Sequence, residues 1–236
     1  LLSEMLPLMA QHHQVTLLVN RDIDNDFSRQ VKIAGVRVEV LKNVGVHSPK
    51  NILRLRKAFQ NYDVVHVHLF PTSYWAALAS MFSSVPLVFT EHSTSNRRRG
   101  KWYLRPIEQF VYSRFQRVIS ISQQTQDALT DWLRTSRDSS RFIVVNNGIN
   151  LSAFSHLHRQ KDYPHTLVMV SRFVASKDQE NVIRAIALLP DDVHVIFVGD
   201  GENLAHCKDY AISLGIADRT HFVGSQLDVA SWIAKA

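Results

Sequence analysis

Hydrophobic positions follow two alternating spacings along most of the chain. Short runs rich in β-branched residues, such as residues 64–69 and 87–90, predict buried strands. Apolar residues three and four positions apart, as in residues 52–59 and 124–133, predict helices between the strands. Because strands and helices succeed each other, the pattern predicts a doubly wound α/β fold with a mostly parallel sheet.

The same alternation starts again in the last third of the chain. Residues 151–164 are polar and lack a clear period, which is typical of a linker. Strands are then predicted at residues 166–170 and 194–198, each followed by a helix. We therefore expect two successive α/β domains, residues 1–157 and residues 158–236, the second of them incomplete.

One stretch lacks Asp, Glu, Lys and Arg for long enough to cross a bilayer. It lies between Asp63 and Glu91, and a bilayer core of about 30 Å needs roughly 20 apolar residues. Pro71, Pro86 and several serines divide it into strand, loop, helix and strand. No transmembrane helix is therefore expected.

The composition excludes several classes of protein. Of 236 residues, 45% are hydrophobic, and there are 8 Gly and 7 Pro. This composition suits a buried core and is too poor in Gly and Pro for a collagen or a flexible linker. Cys207 is the single cysteine, so no internal disulfide is possible and a reducing compartment is expected rather than secretion.

Positive charge is concentrated in the first predicted domain. Residues 1–157 carry 19 Lys and Arg against 11 Asp and Glu, whereas residues 158–236 carry 8 against 10. The densest basic segment spans residues 97–105 and includes Trp102 and Tyr103. Such a segment suits anionic lipid headgroups, phosphate-bearing substrates or nucleic acid. A solvated loop is the other interpretation.

Two cations lie where a predicted strand of the second domain leads into a helix. Arg172 and Lys177 belong to residues 171–178, which follow the strand at residues 166–170. In α/β folds, anionic ligands bind at the carboxyl ends of strands beside helix N-termini. A planar guanidinium and an ammonium could together hold two phosphates. Two solvated loop cations are the alternative.

The next predicted turn of this domain contains two glycines. Gly199 and Gly201 follow the strand at residues 194–198, as at the start of a dinucleotide-binding fingerprint. Leu204 stands where that fingerprint needs a third glycine, so a nicotinamide cofactor is not indicated. The two glycines still permit a tight turn from strand to helix close to a ligand.

Three histidines lie at or near the predicted ends of strands in the first domain. His66 and His68 are two positions apart, so their side chains point to the same side of a strand. They suggest a metal-dependent hydrolase, although no later residues complete a ligand set, and two structural histidines are the other interpretation. His92 could contact a substrate or transfer a proton, or be structural.

Six segments along the chain carry a resemblance to a known family. They are Asp63-Val64-Val65-His66-Val67-His68, Phe89-Thr90-Glu91-His92, Val118-Ile119-Ser120-Ile121-Ser122, the Asn147-Gly148 turn, Ser171-Arg172 through Lys177, and Val198-Gly199-Asp200-Gly201. Together, and in this order, they resemble a family 4 (group 1) glycosyltransferase with the two-domain GT-B architecture. The resemblance implies two Rossmann-like domains, the first on the acceptor side and the second binding the donor nucleotide.

The resemblance implies a retaining glycosyltransferase that moves a sugar from a nucleotide-sugar donor to a glycan or lipid-linked acceptor. Arg172 and Lys177 would hold the donor diphosphate and act in catalysis with His92, which would lie near the transferred sugar. Gly199 and Gly201 would shape the turn near the nucleotide. No metal and no cofactor besides the donor co-substrate is implied, and no nucleic acid is expected.

The resemblance also implies an acceptor surface on the first domain. This surface would meet its acceptor at the inner face of the membrane, in the synthesis of cell-surface polysaccharide or glycolipid. The protein would then be cytoplasmic, with peripheral attachment to the membrane. The residues expected on this surface are Arg97, Arg98, Arg99, Lys101 and Trp102.

Two parts of the family's pattern are missing from the sequence. The first strand and its Gly-rich loop would precede Leu1, and no two Glu residues are eight positions apart, as the family's Glu-x7-Glu segment requires. We therefore expect a fragment that lacks both ends and is inactive by itself. The alternatives are the hydrolase using His66 and His68, and a basic module that binds anions or nucleic acid.

Overall fold

The computed structural model describes residues 2–20, 26–41, 45–136, 139–155, 158 and 162–236. The chain forms two compact units, Leu1–Ile149 and Asn150–Ala236. The linker predicted over residues 151–164 includes residues outside the described ranges, and the boundary predicted between residues 157 and 158 adjoins them. Both stay predictions.

The first unit alternates helices and strands, as the spacing of apolar residues predicts. Its described elements are helix α1 (Leu2–Ala10), strand β1 (Thr16–Val19), α2 (Asp26–Ile33), β2 (Arg37–Val40), α3 (Lys50–Phe59), β3 (Val65–His68), α4 (Thr72–Ala79), β4 (Leu87–Glu91), α5 (Arg105–Ser113), β5 (Arg117–Ser120), α6 (Gln123–Leu133) and β6 (Phe142–Val144). Strands β1 and β2 pair with each other, and a second sheet has the order β3-β4-β5-β6. All these pairs are parallel.

Helices pack on the four-stranded sheet through residues spaced by one helical turn. Leu55 and Phe59 lie four positions apart in α3, and Leu129 and Leu133 lie four apart in α6. Each pair therefore shares one face of its helix. These residues join Phe89 of β4 in one buried cluster, which fixes the helices against the sheet.

The second unit repeats this construction around a three-stranded parallel sheet of order β7-β8-β9. Its described elements are α7 (Ser152–Ser155), β7 (His165–Val170), α8 (Gln179–Ile186), β8 (Val193–Val198), α9 (Leu204–Ser213), β9 (Thr220–Phe222) and α10 (Val229–Ile233). Its core comprises Phe173, Ile183, Phe197 and Ile216 among others.

Both units confirm the predicted α/β class, and helix α8 ends earlier than predicted. Helix α8 ends at Ile186, whereas the apolar pattern predicts a helix over residues 178–189. Leu188 and Leu189 instead lead into Pro190 and are exposed. A proline disfavours helical backbone in the residue before it. Within the described ranges, no helix is long and apolar enough to cross a membrane.

Candidate functional site

The loops that follow β7 and β8 meet at the carboxyl edge of the second unit's sheet. The amide of Ser171 donates to the Val198 carbonyl (3.0 Å), and the amide of Phe173 donates to the Asp200 carbonyl (2.9 Å). The Asn203 amide in turn donates to the Phe173 carbonyl (3.1 Å). These hydrogen bonds continue the pairing of β7 with β8 beyond the strand ends. They hold the two loops against each other.

Gly199 and Gly201 make this close approach possible. Their φ angles are +143° and +153°, a region that residues with a side chain rarely adopt. A Cβ on Gly199 would lie 1.9 Å from the Ser171 carbonyl oxygen, and one on Gly201 would lie 2.4 Å from that of Phe173. The glycines thus allow a close approach of protein backbone, and their contact with a nucleotide stays a prediction.

Arg172 and Lys177 lie on this edge with unpaired charges. Both side chains are exposed, and neither forms a hydrogen bond or ion pair with the part of the chain that the structure describes. Lys177 ends a short 3₁₀ turn, Ala175–Lys177, that leads into α8. Unpaired cations at the carboxyl edge of a parallel sheet are well placed for an anionic ligand.

Gln179 fixes the backbone beneath Arg172. It is 2% exposed, and its amide nitrogen donates to the Ser171 hydroxyl (2.9 Å) and to the Arg172 carbonyl (2.8 Å). Sequence reasoning missed this residue. The signal was its spacing, because Gln179 lies four and seven positions before Ile183 and Ile186 on the buried face of α8.

Three histidines meet at the carboxyl ends of β3 and β4 in the first unit. His66 Nε2 lies 2.7 Å from Thr90 Oγ1, and His68 Nδ1 lies 3.1 Å from His92 Nε2. The ring centroids of His66 and His68 are 4.3 Å apart. The two side chains therefore share one side of the strand, as their spacing predicts, and His92 joins them from the end of the neighbouring strand.

Burial favours the neutral form of all three rings. It lowers the pKa of His66 and of His92, and together with the two neighbouring histidines it lowers the pKa of His68 to about 4. A neutral imidazole has one donor and one acceptor nitrogen. The contact between His68 and His92 is therefore a hydrogen bond at pH 7.

We expect the first unit to lose stability on acidification. An unfolded histidine has a pKa of about 6.5, so the unfolded chain takes up protons before folded His68, whose pKa is about 4. The stability present above pH 6.5 is therefore lost progressively as the pH falls toward 4. Urea unfolding at a series of pH values, followed by tryptophan fluorescence, measures this loss, since three of the four tryptophans lie in the first unit.

The matched variants for this measurement are His68→Gln and His12→Gln. His12 is exposed, so its replacement should leave the pH dependence of the urea midpoint unchanged. Replacing His68 should flatten it. An unchanged slope in His68→Gln would contradict the assignment of the acid sensitivity to this cluster.

The surroundings of the histidines bear on the metal-dependent alternative. Across the residues that the structure describes, no three His, Cys, Asp or Glu side chains are placed to hold a metal ion. Ring nitrogens of His66 and His68 are hydrogen bonded to Thr90 and His92. This arrangement does not favour the metal-dependent hydrolase.

Two arginines of the basic segment neutralise buried carboxylates. Arg98 Nε lies 2.6 Å from Glu108 Oε1, and the Arg98 side chain is 22% exposed. An Arg99 amino group lies 3.0 Å from Glu91 Oε2, and both of these side chains are 9% exposed. Arg98 and Arg99 thus turn toward the protein to compensate the two carboxylates, and their contact with an acceptor or a membrane stays a prediction.

The remaining members of the predicted acceptor surface face solvent. Arg97 and Lys101 are exposed, and Trp102 is exposed over 76% of its surface. Contact of these three residues with an acceptor or a membrane stays a prediction. A variant that also removed Arg98 and Arg99 would leave buried carboxylates uncompensated, so it would not test the surface alone.

Glu108 is the buried centre of this region, and sequence reasoning missed it. Its carboxylate accepts hydrogen bonds from the Tyr74 hydroxyl (2.8 Å) and the Trp132 indole nitrogen (2.6 Å), in addition to Arg98. The signal was again spacing, because Glu108 lies three and four positions before Val111 and Tyr112, which are buried on the same face of α5.

Two Rossmann-like units with parallel sheets define the GT-B class of fold, and solved structures share it. Anabaena Alr3699/HepE in complex with UDP and glucose gives a TM-score of 0.80 at 18% identity, covering 98% of this chain and 67% of that chain. A glycosyltransferase from Rickettsia africae gives a TM-score of 0.74 at 16% identity, covering 100% of this chain and 66% of that chain.

Sequence comparison gives the family. Residues 4–153 match Glycosyltransferase Family 4, and residues 154–236 match Glycosyl transferases group 1. The D-inositol 3-phosphate glycosyltransferases of Mycobacterium marinum and Mycolicibacterium gilvum are 30% and 28% identical over 200 and 190 residues, which cover 74% and 70% of this chain. The chain spans 42% of the length of each. It belongs to glycosyltransferase family 4, as its motifs predict.

Proposed function

We propose that the whole protein transfers a sugar from a nucleotide-sugar donor, with retention at the anomeric carbon. The observation that carries this proposal is the pair of unpaired cations, Arg172 and Lys177, at the carboxyl edge of the second unit's sheet. The structures of HepE support a nucleotide-sugar donor, since they contain UDP or UDP-glucose. The curated relatives, which are named as glycosyltransferases, support the reaction type.

Charge development explains why two cations suit this reaction. Cleavage of the bond between sugar and diphosphate leaves negative charge on the phosphate. Arg172 supplies a planar fork of donors and Lys177 a compact charge, and both stabilise the transition state more than the ground state because the charge forms there. Gln179 acts as a positioning residue, since it holds the carbonyl of Arg172. The mechanism needs no metal ion and no cofactor besides the donor.

The proposed acceptor is a glycan or a lipid-linked molecule, met by the first unit. Exposed Arg97, Lys101 and Trp102 combine positive charge with an aromatic side chain, a combination that suits an anionic membrane interface. We place His92, in its neutral form, near the transferred sugar. The proposed setting is the cytoplasm, at the inner face of the membrane, in the synthesis of cell-surface polysaccharide or glycolipid.

Replacing Arg172 or Lys177 with Ala should lower the turnover of the whole protein about 100-fold, the usual effect of removing one group that stabilises developing charge. Release of nucleoside diphosphate from a panel of nucleotide sugars, with acceptor present, measures the rate. Arg184→Ala is the control, because Arg184 is an exposed arginine of α8.

Two outcomes of this experiment would contradict the proposal. If both Arg172→Ala and Lys177→Ala turn over at the original rate, the diphosphate clamp is wrong. If a chelator abolishes the activity while both variants retain it, the metal-dependent alternative takes its place.

A further inference from the structure

A cavity lies at the amino edge of the four-stranded sheet, opposite the histidines. Its volume is about 520 Å³, and the loops that enter β4, β5 and β6 line it. The strands are parallel, so these loops lie one strand length, about 16 Å, from the carboxyl edge that holds His68 and His92. The cavity is therefore separate from the histidine cluster, and its lining comes wholly from the first unit.

Cations and hydroxyl groups dominate the wall of this cavity. Among the residues that the structure describes, Arg114, Arg117 and Arg141 line it together with six serines, and none of these lining residues is Asp or Glu. The hydroxyls of Ser84 and Ser140 form no hydrogen bond with the described part of the chain. The described part of the wall thus offers hydrogen-bond donors and positive charge, and it contains no carboxylate that could accept these hydrogen bonds.

The three arginines have no counter-ion among the residues that the structure describes. None of them forms an ion pair with any carboxylate that the structure describes. Arg114 donates to the hydroxyl and the carbonyl of Ser80 (3.3 and 3.4 Å), and Arg117 donates to the carbonyl of Gln116 (3.1 Å). These neutral acceptors hold the side chains at the cavity without neutralising them.

Strand register places Arg117 and Arg141 at neighbouring positions of the sheet. Val118 of β5 pairs with Phe142 of β6, and Arg117 and Arg141 each precede these residues by one position. Like charges at neighbouring positions of a sheet repel each other. An anion between them would remove this repulsion, and guanidinium groups match phosphate oxygens in geometry as well as in charge.

We propose that this cavity binds a small phosphate-bearing ligand, a phosphomonoester or a diphosphate, through Arg117, Arg141 and Arg114. The volume falls in the range of about 300–1,000 Å³ that small-molecule sites occupy, and it exceeds what one inorganic phosphate fills. A soluble metabolite or the headgroup of a lipid can supply the same phosphate chemistry. The site is independent of Arg172 and Lys177 and does not rest on the proposed function.

The test measures phosphate binding in a chain that lacks the cations at positions 172 and 177. In the chain carrying Arg172→Gln and Lys177→Gln, titration calorimetry follows the binding of inorganic pyrophosphate. Sedimentation follows binding to phosphatidylcholine vesicles with and without phosphatidic acid. Adding Arg117→Gln and Arg141→Gln should weaken binding about 100-fold, because each lost charge-assisted contact costs roughly a factor of ten.

Arg184→Gln, made in the same background, is the matched control. It removes one exposed arginine from the second unit and should leave binding unchanged, and circular dichroism checks that each variant is folded. Arg114 is kept in all variants because it also supports the Ser80 backbone.

Each outcome decides the proposal. Pyrophosphate binding that is lost with Arg117 and Arg141 supports a soluble ligand. Binding only to vesicles with phosphatidic acid, with the same dependence on these two arginines, supports a lipid headgroup. The proposal is overturned if neither arm shows saturable binding, or if folded Arg117→Gln, Arg141→Gln chains bind as well as the control.

Discussion

Replacing Gly199 with Ala is expected to destabilise the second unit by about 4 kcal/mol, the sum of two costs. The new Cβ would lie 1.9 Å from the carbonyl oxygen of Ser171, a backbone atom that cannot rotate away, and overpacking of this kind costs about 1–3 kcal/mol. The φ angle of +143° adds backbone strain of about 1–3 kcal/mol for a residue with a side chain. Because Ser171 precedes Arg172, any relaxation would also displace the proposed diphosphate clamp.

Hydrogen exchange of the β7, β8 and β9 amides measures this loss, and the amides of β3, β4 and β5 serve as an internal reference in the first unit. Gly215→Ala is the matched control, since Gly215 has a φ of +71° and nothing within 4 Å of an added Cβ. It should cost only the conformational strain, about 1 kcal/mol. If Gly199→Ala costs no more than Gly215→Ala, the two loops do not approach as closely as described.

Local patterns predicted the positions of Arg172 and Lys177 because strand, turn and helix follow one another there without a break. An apolar run that ends at Val170 and an apolar period that starts after Lys177 place both cations at a carboxyl edge. The same logic placed His66 and His68 on one side of β3. Each of these expectations depends on the period of a single element or on two consecutive ones.

Contacts between distant segments are what the sequence did not predict. Glu108 bonds to Arg98 ten positions away, to Trp132 24 positions away and to Tyr74 34 positions away. Charge counting assigned Arg98 to a surface because no local rule shows which cation compensates a carboxylate across the fold. A polar residue on the buried face of a helix, as with Glu108 and Gln179, predicts that a partner exists without naming it.

Replacing Glu108 with Ala is expected to destabilise the first unit by about 3–5 kcal/mol, the usual cost of removing one partner of a buried ion pair. Glu108 is fully buried, and its loss leaves three donors unsatisfied. One of them is the Tyr74 hydroxyl, whose pKa is raised in the intact protein by burial and by the bond to Glu108. The guanidinium of Arg98 would remain 4.2 Å above the Phe70 ring without its carboxylate.

Urea unfolding followed by tryptophan fluorescence measures this loss of stability. Two further variants show how much of it comes from the charge of Arg98 that is left unpaired. Glu39→Ala breaks the ion pair between Glu39 and Arg37, which are 2.8 Å apart. The Glu39 side chain is 35% exposed and that of Arg37 is 76% exposed. Because this pair is exposed to solvent, its loss should cost at most about 1 kcal/mol. The double variant Arg98→Met, Glu108→Leu removes both charges and should recover much of the stability that Glu108→Ala loses. If the double variant is as unstable as Glu108→Ala, the loss comes from the Tyr74 hydroxyl and the Trp132 indole nitrogen, which lack their acceptor in both variants, and the unpaired charge of Arg98 is not its cause.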